Sequence, residues 1–150
     1  MIIPNLPPFD ILLIEDDPAD AHLVALSLKQ ARIRAHLHHQ PDGREALNFL
    51  HRLGPHSEAP RPDLILLDLN MPRMNGREFL SIIKADEDLK AIPVVILTTS
   101  DVERDVVASY QLGASGYITK PVDMVQFAAA MEQLGDYWFT LTRLPVSNKK

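Results

Sequence analysis

The chain of 150 residues contains no cysteine. That removes a disulfide framework, a thiolate metal site and a thiol nucleophile together, and it fits a reducing compartment. No run is long and apolar enough to span a bilayer. The opening Met1–Pro8 is apolar but has no early Lys or Arg and is broken by Pro4, Pro7 and Pro8, so it lacks the order of a signal peptide. No excess of positive charge marks a nucleic-acid surface, because the formal net charge is −5. No glycine-rich phosphate loop is present, which speaks against flavin or nucleotide binding. The six histidines, His22, His36, His38, His39, His51 and His56, show neither the i, i+4 pairing nor the clustering of a metal site and are given no role; His36, His38 and His39, near an edge strand, are expected to be solvated. A cytoplasmic protein with no membrane and no nucleic-acid partner is the resulting expectation.

What is present is a repeating order. Short apolar runs at Ile11–Ile14, Ala35–Leu37 (weak), Leu64–Leu67, Val94–Leu97 and Gly116–Thr119 alternate with segments of helical character. The first, third and fourth are nearly all Ile, Leu and Val, the composition of strands buried on both faces of a parallel sheet. Helix starts are marked by short polar residues. Asp17 precedes Pro18, and Asp20 adds charge to the first turn. Asp42 with Glu45, Asn75 with Glu78, Ser100 with Glu103 and Asp123 with Gln126 repeat a capping spacing. The prediction is an α/β fold: a doubly wound, five-stranded parallel sheet of flavodoxin-like (βα)5 type, order 2-1-3-4-5, with an extended C-terminal helix and tail. The expected division is an N-terminal arm over 1–9, one domain over 10–136 and an aromatic tail over 137–150. Gly54–Pro62 is expected to be an exposed connection.

In that topology the carboxyl ends of the strands open onto one crevice. They carry Glu15-Asp16-Asp17, Asp68, Thr98-Thr99 and Lys120-Pro121. Carboxylates brought together repel: two unit charges 4 Å apart cost roughly 4 kcal/mol at an effective dielectric near 20. Lys120 offsets part of that. A hard divalent cation would offset the rest, and Mg2+ suits an all-oxygen set that leaves room for water. A carboxylate beside such an ion can attack an activated phosphoryl group, a reaction that depends mainly on positioning and charge neutralisation.

The strings ILLIEDDPAD, PDLILLDLNMPRMNG, IPVVILTTSD and GASGYITKP, in that order and spacing, resemble the bacterial receiver domain of two-component signalling over about residues 10–135. The resemblance implies roles. Asp68 is the phosphoacceptor. Asp16 binds Mg2+ directly, Glu15 acts through a metal-bound water, and Asn70 adds its main-chain carbonyl. Thr98 and Lys120 contact the phosphoryl oxygens, Lys120-Pro121 is a cis bond, and Tyr117 swings inward on activation. A Glu-Asp pair on the first strand, in place of Asp-Asp, is a small departure that touches the outer metal shell.

The phosphoryl donor implied is a sensor histidine kinase, and the output is contact with an unknown downstream protein. The tail, Tyr137-Trp138-Phe139, continues a helical apolar pattern through Met124, Phe127, Met131, Leu134 and Trp138. Three consecutive aromatics fit an interface better than a lone domain surface. With EDDPAD, the tail is similar to the small regulators paired with phytochrome histidine kinases, which implies a homodimer through the fourth helix, fifth strand and fifth helix. Two other readings compete with this one. An aspartate-nucleophile phosphatase would need an acid–base group where Asn70 stands, and Asn70 cannot serve. A pseudo-receiver acting only as an interaction module loses its motive with Asp16, Asp68, Thr98 and Lys120 all present.

Overall fold

The computed structural model describes residues 9–69, 71, 74–99, 113–120 and 122–133; the side chains of 98, 99 and 131–133 are outside that description. Five parallel strands run through it: β1 (Phe9–Ile14), β2 (Ala35–Gln40), β3 (Leu64–Asp68), β4 (Val94–Thr99) and β5 (Gly116–Lys120). Their order is β2-β1-β3-β4-β5. The helices among the described residues are α1 (Pro18–Gln30), α2 (Gly43–Leu50), α3 (Gly76–Ala85) and α4 (Met124–Gln133). α4 is the fifth helix expected from the sequence. The expected fourth, opening at Ser100, lies outside the described residues, as do Met1–Pro8 and the tail from Leu134.

The apolar runs form the centre of the sheet because each side of it is roofed by helices. Ile11, Leu13, Leu64, Leu66, Val95 and Leu97 face α1 and α4, joining Val24, Leu28 and Phe127. Leu12, Ile14, Ile65, Leu67, Val94 and Ile96 face the other way, joining Phe49, Phe79, Leu80 and Ile83 of α2 and α3. Consecutive strand residues point to opposite faces, so a strand covered on both sides must be apolar at every position. β2 is the exception. Among the described residues it pairs with β1 alone, its side chains are half-buried or exposed, and it carries Ala35-His36-Leu37-His38-His39-Gln40. Every strand runs further than its apolar run indicated, because backbone pairing continues into polar residues.

The helix starts follow their caps. Asp17 Oδ1 accepts from the Ala19 N–H, Asp42 Oδ1 from Glu45, and Asp123 Oδ1 from Gln126. At α3 the box is complete: Asn75 Oδ1 accepts from Glu78 N–H while Glu78 Oε1 accepts from Asn75 N–H. The Gly54–Pro62 connection holds a 3-10 turn at Gly54–His56 and anchors one residue, Pro62, in the interior.

These constraints place the site. From β1 the chain moves outward to β2, then crosses to β3 on the other side, so the connections leaving β1 and β3 part in opposite directions and a crevice opens at the carboxyl ends of these two strands. Pairing between them ends at Ile14 with Leu67, leaving Glu15-Asp16 and Asp68 side by side just beyond.

Candidate metal and phosphoryl site

Glu15, Asp16 and Asp68 each offer a carboxylate oxygen, and the three lie within 4.8 Å of one another. Glu15 is fully buried, Asp68 is 4% exposed, and Asp16 opens to solvent. Lys120, at the end of β5, reaches across to them. Its Nζ stands 2.9 Å from Glu15 Oε1, 3.0 Å from Asp20 Oδ2 and 3.4 Å from Asp68 Oδ1. Lys120 is brought there by register: β4 pairs Thr99 with Lys120 and Asp68 of β3 with Leu97 of β4.

Two local features keep the acids in place. Glu15 Oε2 accepts from the Asp17 N–H at 3.2 Å, and its main-chain N–H donates to Gln40 O at 3.1 Å, extending the β1–β2 ladder. His39 Nε2 stands 2.6 Å from the Glu15 main-chain oxygen. At the other wall, the start of α3 presses onto the end of β3. A methyl group at Gly76 would come within 2.6 Å of the Asp68 carbonyl oxygen and of Leu69 Cα, a distance that side-chain carbons do not tolerate. Gly76 N–H donates to Leu69 O at 2.9 Å across this contact. The glycine is therefore required by close approach, and it lets α3 set the position of Asp68.

The electrostatics are those of a site short of positive charge. Burial pushes the Glu15 carboxyl up from an ordinary 4.5 to about 7; Lys120 pulls it down, and the charge on Asp68 raises it further. Lys120 moves the other way from what burial demands. Burial would lower its pKa, but Glu15, Asp68 and Asp20 outweigh it and hold the ammonium above its ordinary 10.5. Lys120 is thus a permanent cation shared by three acids. The Glu15 Oε1 contact with Lys120 is close but lacks hydrogen-bond alignment, so Oε1 is buried without a directed donor. A buried oxygen in that condition, beside two more carboxylate oxygens, fits a divalent cation. The donor set is all oxygen, the preference of a hard ion rather than of a soft one.

Four of the expected site residues converge. Glu15, Asp16, Asp68 and Lys120 meet. Tyr117 lies on β5 three residues before Lys120 and is 44% exposed. The main chain of Thr98 is in β4, paired with Thr119 of β5. Asn70, Pro121, Tyr137, Trp138 and Phe139 lie outside the described residues. The expectation of solvated histidines near the edge strand needs correcting for two of them. His38 Nε2 lies 2.9 Å from Asp10 Oδ1 with its ring against Phe49, and His39 contacts the Glu15 carbonyl. Partners on neighbouring elements reached them, which local sequence spacing does not show. Sequence reasoning also missed Gly76, and it read Asp20 only as a first-turn helix acid.

A doubly wound sheet with this acid cluster and lysine at its carboxyl ends is the architecture of a receiver. The chain belongs to the response regulator receiver domain family, whose profile matches residues 11–132, and its class of function is two-component response regulation. Among individual proteins it is similar to the response regulator Rcp1 of Synechocystis sp., with 44% identity over 141 residues, covering 94% of this chain and 96% of Rcp1. The solved Mn2+-bound form of Rcp1 superposes with a TM-score of 0.74, covering 93% of this chain and 100% of that one. The bacteriophytochrome response regulator RtBRR gives 0.80 at 41% identity, over 87% and 80%. The phosphorylated cyanobacterial phytochrome response regulator RcpA gives 0.75 at 40%, over 92% and 99%. A divalent cation in one relative's structure agrees with the metal that the oxygen donors here would accept. Among the described residues no helix is long and apolar enough to cross a membrane.

Proposed function

We propose that Asp68 is the phosphoacceptor of a two-component switch, taking a phosphoryl group from the phosphohistidine of a sensor kinase and signalling through protein contacts. The observation that carries this is the convergence at Asp68: two other carboxylates within 4.8 Å and the Lys120 ammonium 3.4 Å away, at the carboxyl end of the sheet. An Asp68 carboxylate oxygen attacks phosphorus. The bond from phosphorus to the donor breaks, and its electron pair leaves with the donor. Negative charge grows on the phosphoryl oxygens, and Lys120 neutralises part of it.

Glu15, Asp16 and Asp68, with the main-chain carbonyl of Asn70, would hold Mg2+. When bound, the ion supplies charge neutralisation among oxygens that otherwise repel one another. We assign Thr98 the hydroxyl contact to a phosphoryl oxygen and Tyr117 the aromatic shift that reports phosphorylation. Pro121 would fix the strand end behind Lys120 through a cis bond. The receiver unit would span 10–136, between an arm over 1–9 and a tail over 137–150. No chemistry is asked of the protein beyond its own phosphorylation and dephosphorylation.

The phytochrome-linked names of RcpA and RtBRR support a phytochrome histidine kinase as the donor. We further infer a cytoplasmic regulator that pairs with a second copy through β5, α4, the segment between β4 and β5 and the aromatics Tyr137, Trp138 and Phe139, three consecutive aromatics being suited to an interface. The downstream protein would read that same face.

The test is intact-mass spectrometry after acetyl phosphate and Mg2+. One phosphoryl addition is expected in the wild type, lost on chelation and lost in Asp68→Asn. Stoichiometric labelling of Asp68→Asn would refute the assignment.

A further inference from the structure

Lys120 is held from three sides, and one of its partners has no part in the chemistry described above. The contact to Asp20 Oδ2, at 3.0 Å, is a directed hydrogen bond, whereas the closer contact to Glu15 Oε1 lacks alignment and Asp68 stands further off at 3.4 Å. Asp20 sits in the first turn of α1, one turn beyond its Asp17 cap. It is at the rim: its side chain is 28% exposed, against 0% for Glu15 and 6% for Asp68. The directed bond of the ammonium therefore goes to its most exposed partner rather than to the phosphoacceptor.

We propose that Asp20 is a positioning residue, a tether that holds the Lys120 ammonium away from Asp68 until a phosphoryl group arrives there. The inference rests on the reading of Asp68 as phosphoacceptor. An unmodified Asp68 carries one negative charge and competes for Lys120 with two other carboxylates. A phosphoryl group brings close to two negative charges and three acceptor oxygens, enough to draw the ammonium off its rim partner. Asp20 thereby sets the threshold for that movement. Without its charge, Lys120 settles closer to Asp68, and the site accepts a phosphoryl-like anion more readily.

The full-length protein with Mg2+ would be titrated with beryllofluoride, a phosphoryl mimic. Asp20→Asn is expected to lower the half-saturating concentration by about fivefold, the scale of a partly exposed charge pair. Asp20→Glu, which keeps the charge and the reach, should stay near wild type. In a Lys120→Met background the Asp20→Asn effect should vanish, since a tether with nothing to hold has no consequence. An unchanged half-saturation in Asp20→Asn overturns the proposal. So does a fivefold gain that persists in Lys120→Met, because Asp20 would then act by plain repulsion of anions. The Lys120 ammonium 15N resonance gives a second reading without any phosphoryl mimic: it should shift in Asp20→Asn and hold in Asp20→Glu, and an unmoved signal also overturns the tether. Failure of the underlying reading looks different. A wild type that neither binds beryllofluoride nor takes a phosphoryl group on Asp68 removes the phosphoacceptor, while the ammonium resonance still decides whether Asp20 holds Lys120.

Discussion

The two ends of the sheet both carry acids, and they treat them in opposite ways. At the amino end Asp10, Asp63 and Asp86 each have partners of their own. Asp63 Oδ2 accepts the Asp10 N–H at 2.8 Å, Asp10 Oδ1 lies 2.9 Å from His38, and Asp86 accepts the Asp88 N–H and faces His51. The Asp88 N–H and then His51 hold the Asp86 carboxyl below its ordinary 3.8. At the carboxyl end Glu15, Asp20 and Asp68 share one ammonium, a Glu15 oxygen is buried without a directed donor, and burial pushes the Glu15 carboxyl up to about 7. Acids satisfied within the fold hold structure together. Acids left short of positive charge keep a place for a ligand, and the difference in the direction of the two pKa shifts records which is which.

That contrast can be broken by exchanging charge at each end. Asp16→Asn removes one of three clustered carboxylates and should weaken Mg2+ or Mn2+ binding more than about tenfold by calorimetry. It should leave the melting temperature of the metal-free protein unchanged or raised, because repulsion is relieved. A loss of stability there would erase the distinction between the ends. Gly76→Ala drives a methyl group into the Asp68 carbonyl. It should cost about 2 kcal/mol in denaturant unfolding and weaken metal binding as well, since the wall that positions Asp68 must shift. Asp63→Ala, at the other end, should cost about 1 kcal/mol through the Asp10 N–H it leaves unbonded, with metal binding untouched.

The ends should also respond to pH with opposite sign. The folded pKa of Glu15 is raised, so its contribution to metal-free stability is full below its ordinary 4.5 and is lost as pH rises through about 7. A bound cation must displace that proton, so metal affinity should climb by up to about tenfold per pH unit below 7 and level off above it. Glu15→Gln should flatten both profiles. The folded pKa of Asp86 is lowered, so its contribution is present above its ordinary 3.8 and is lost as pH falls through the folded value. Asp86→Asn should remove that small acid-side loss in unfolding curves taken between pH 5 and 2, an approximate window set by carboxylate titration. Profiles of the same sign at both ends would contradict the contrast.

How much of this is legible in the sequence depends on how far away each partner lies. β1, β3 and β4 are readable because burial on both faces leaves only apolar residues, and α1, α2, α3 and α4 are readable at their starts because caps act within three residues. Their ends are less so. α1 and α2 close on Arg32 and Arg52 in the left-handed region, φ 61° and 57°, with Ile33 N–H bonded back to Leu28 O and Leu53 N–H to Asn48 O. Glycine is the residue that usually marks such a turn, and it is absent from both. β2 is read short because His38 and His39 look like surface residues until β1 supplies Asp10 and the Glu15 carbonyl. The site acids follow from topology, since each ends a recognisable strand. Asp20 does not: its partner is 100 residues away, and within α1 it has the form of an ordinary first-turn acid. Gly76 likewise looks like a loop residue until α3 is laid against β3.

The most direct test of the central claim is to locate the phosphoryl group. After acetyl phosphate and Mg2+, borohydride reduction converts an aspartyl phosphate to homoserine, which peptide mass mapping then places. The account predicts homoserine at Asp68 alone, with none when the metal is chelated. Homoserine at Asp16, Asp20 or an amino-end acid such as Asp63, or at Asp68 regardless of metal, would contradict it.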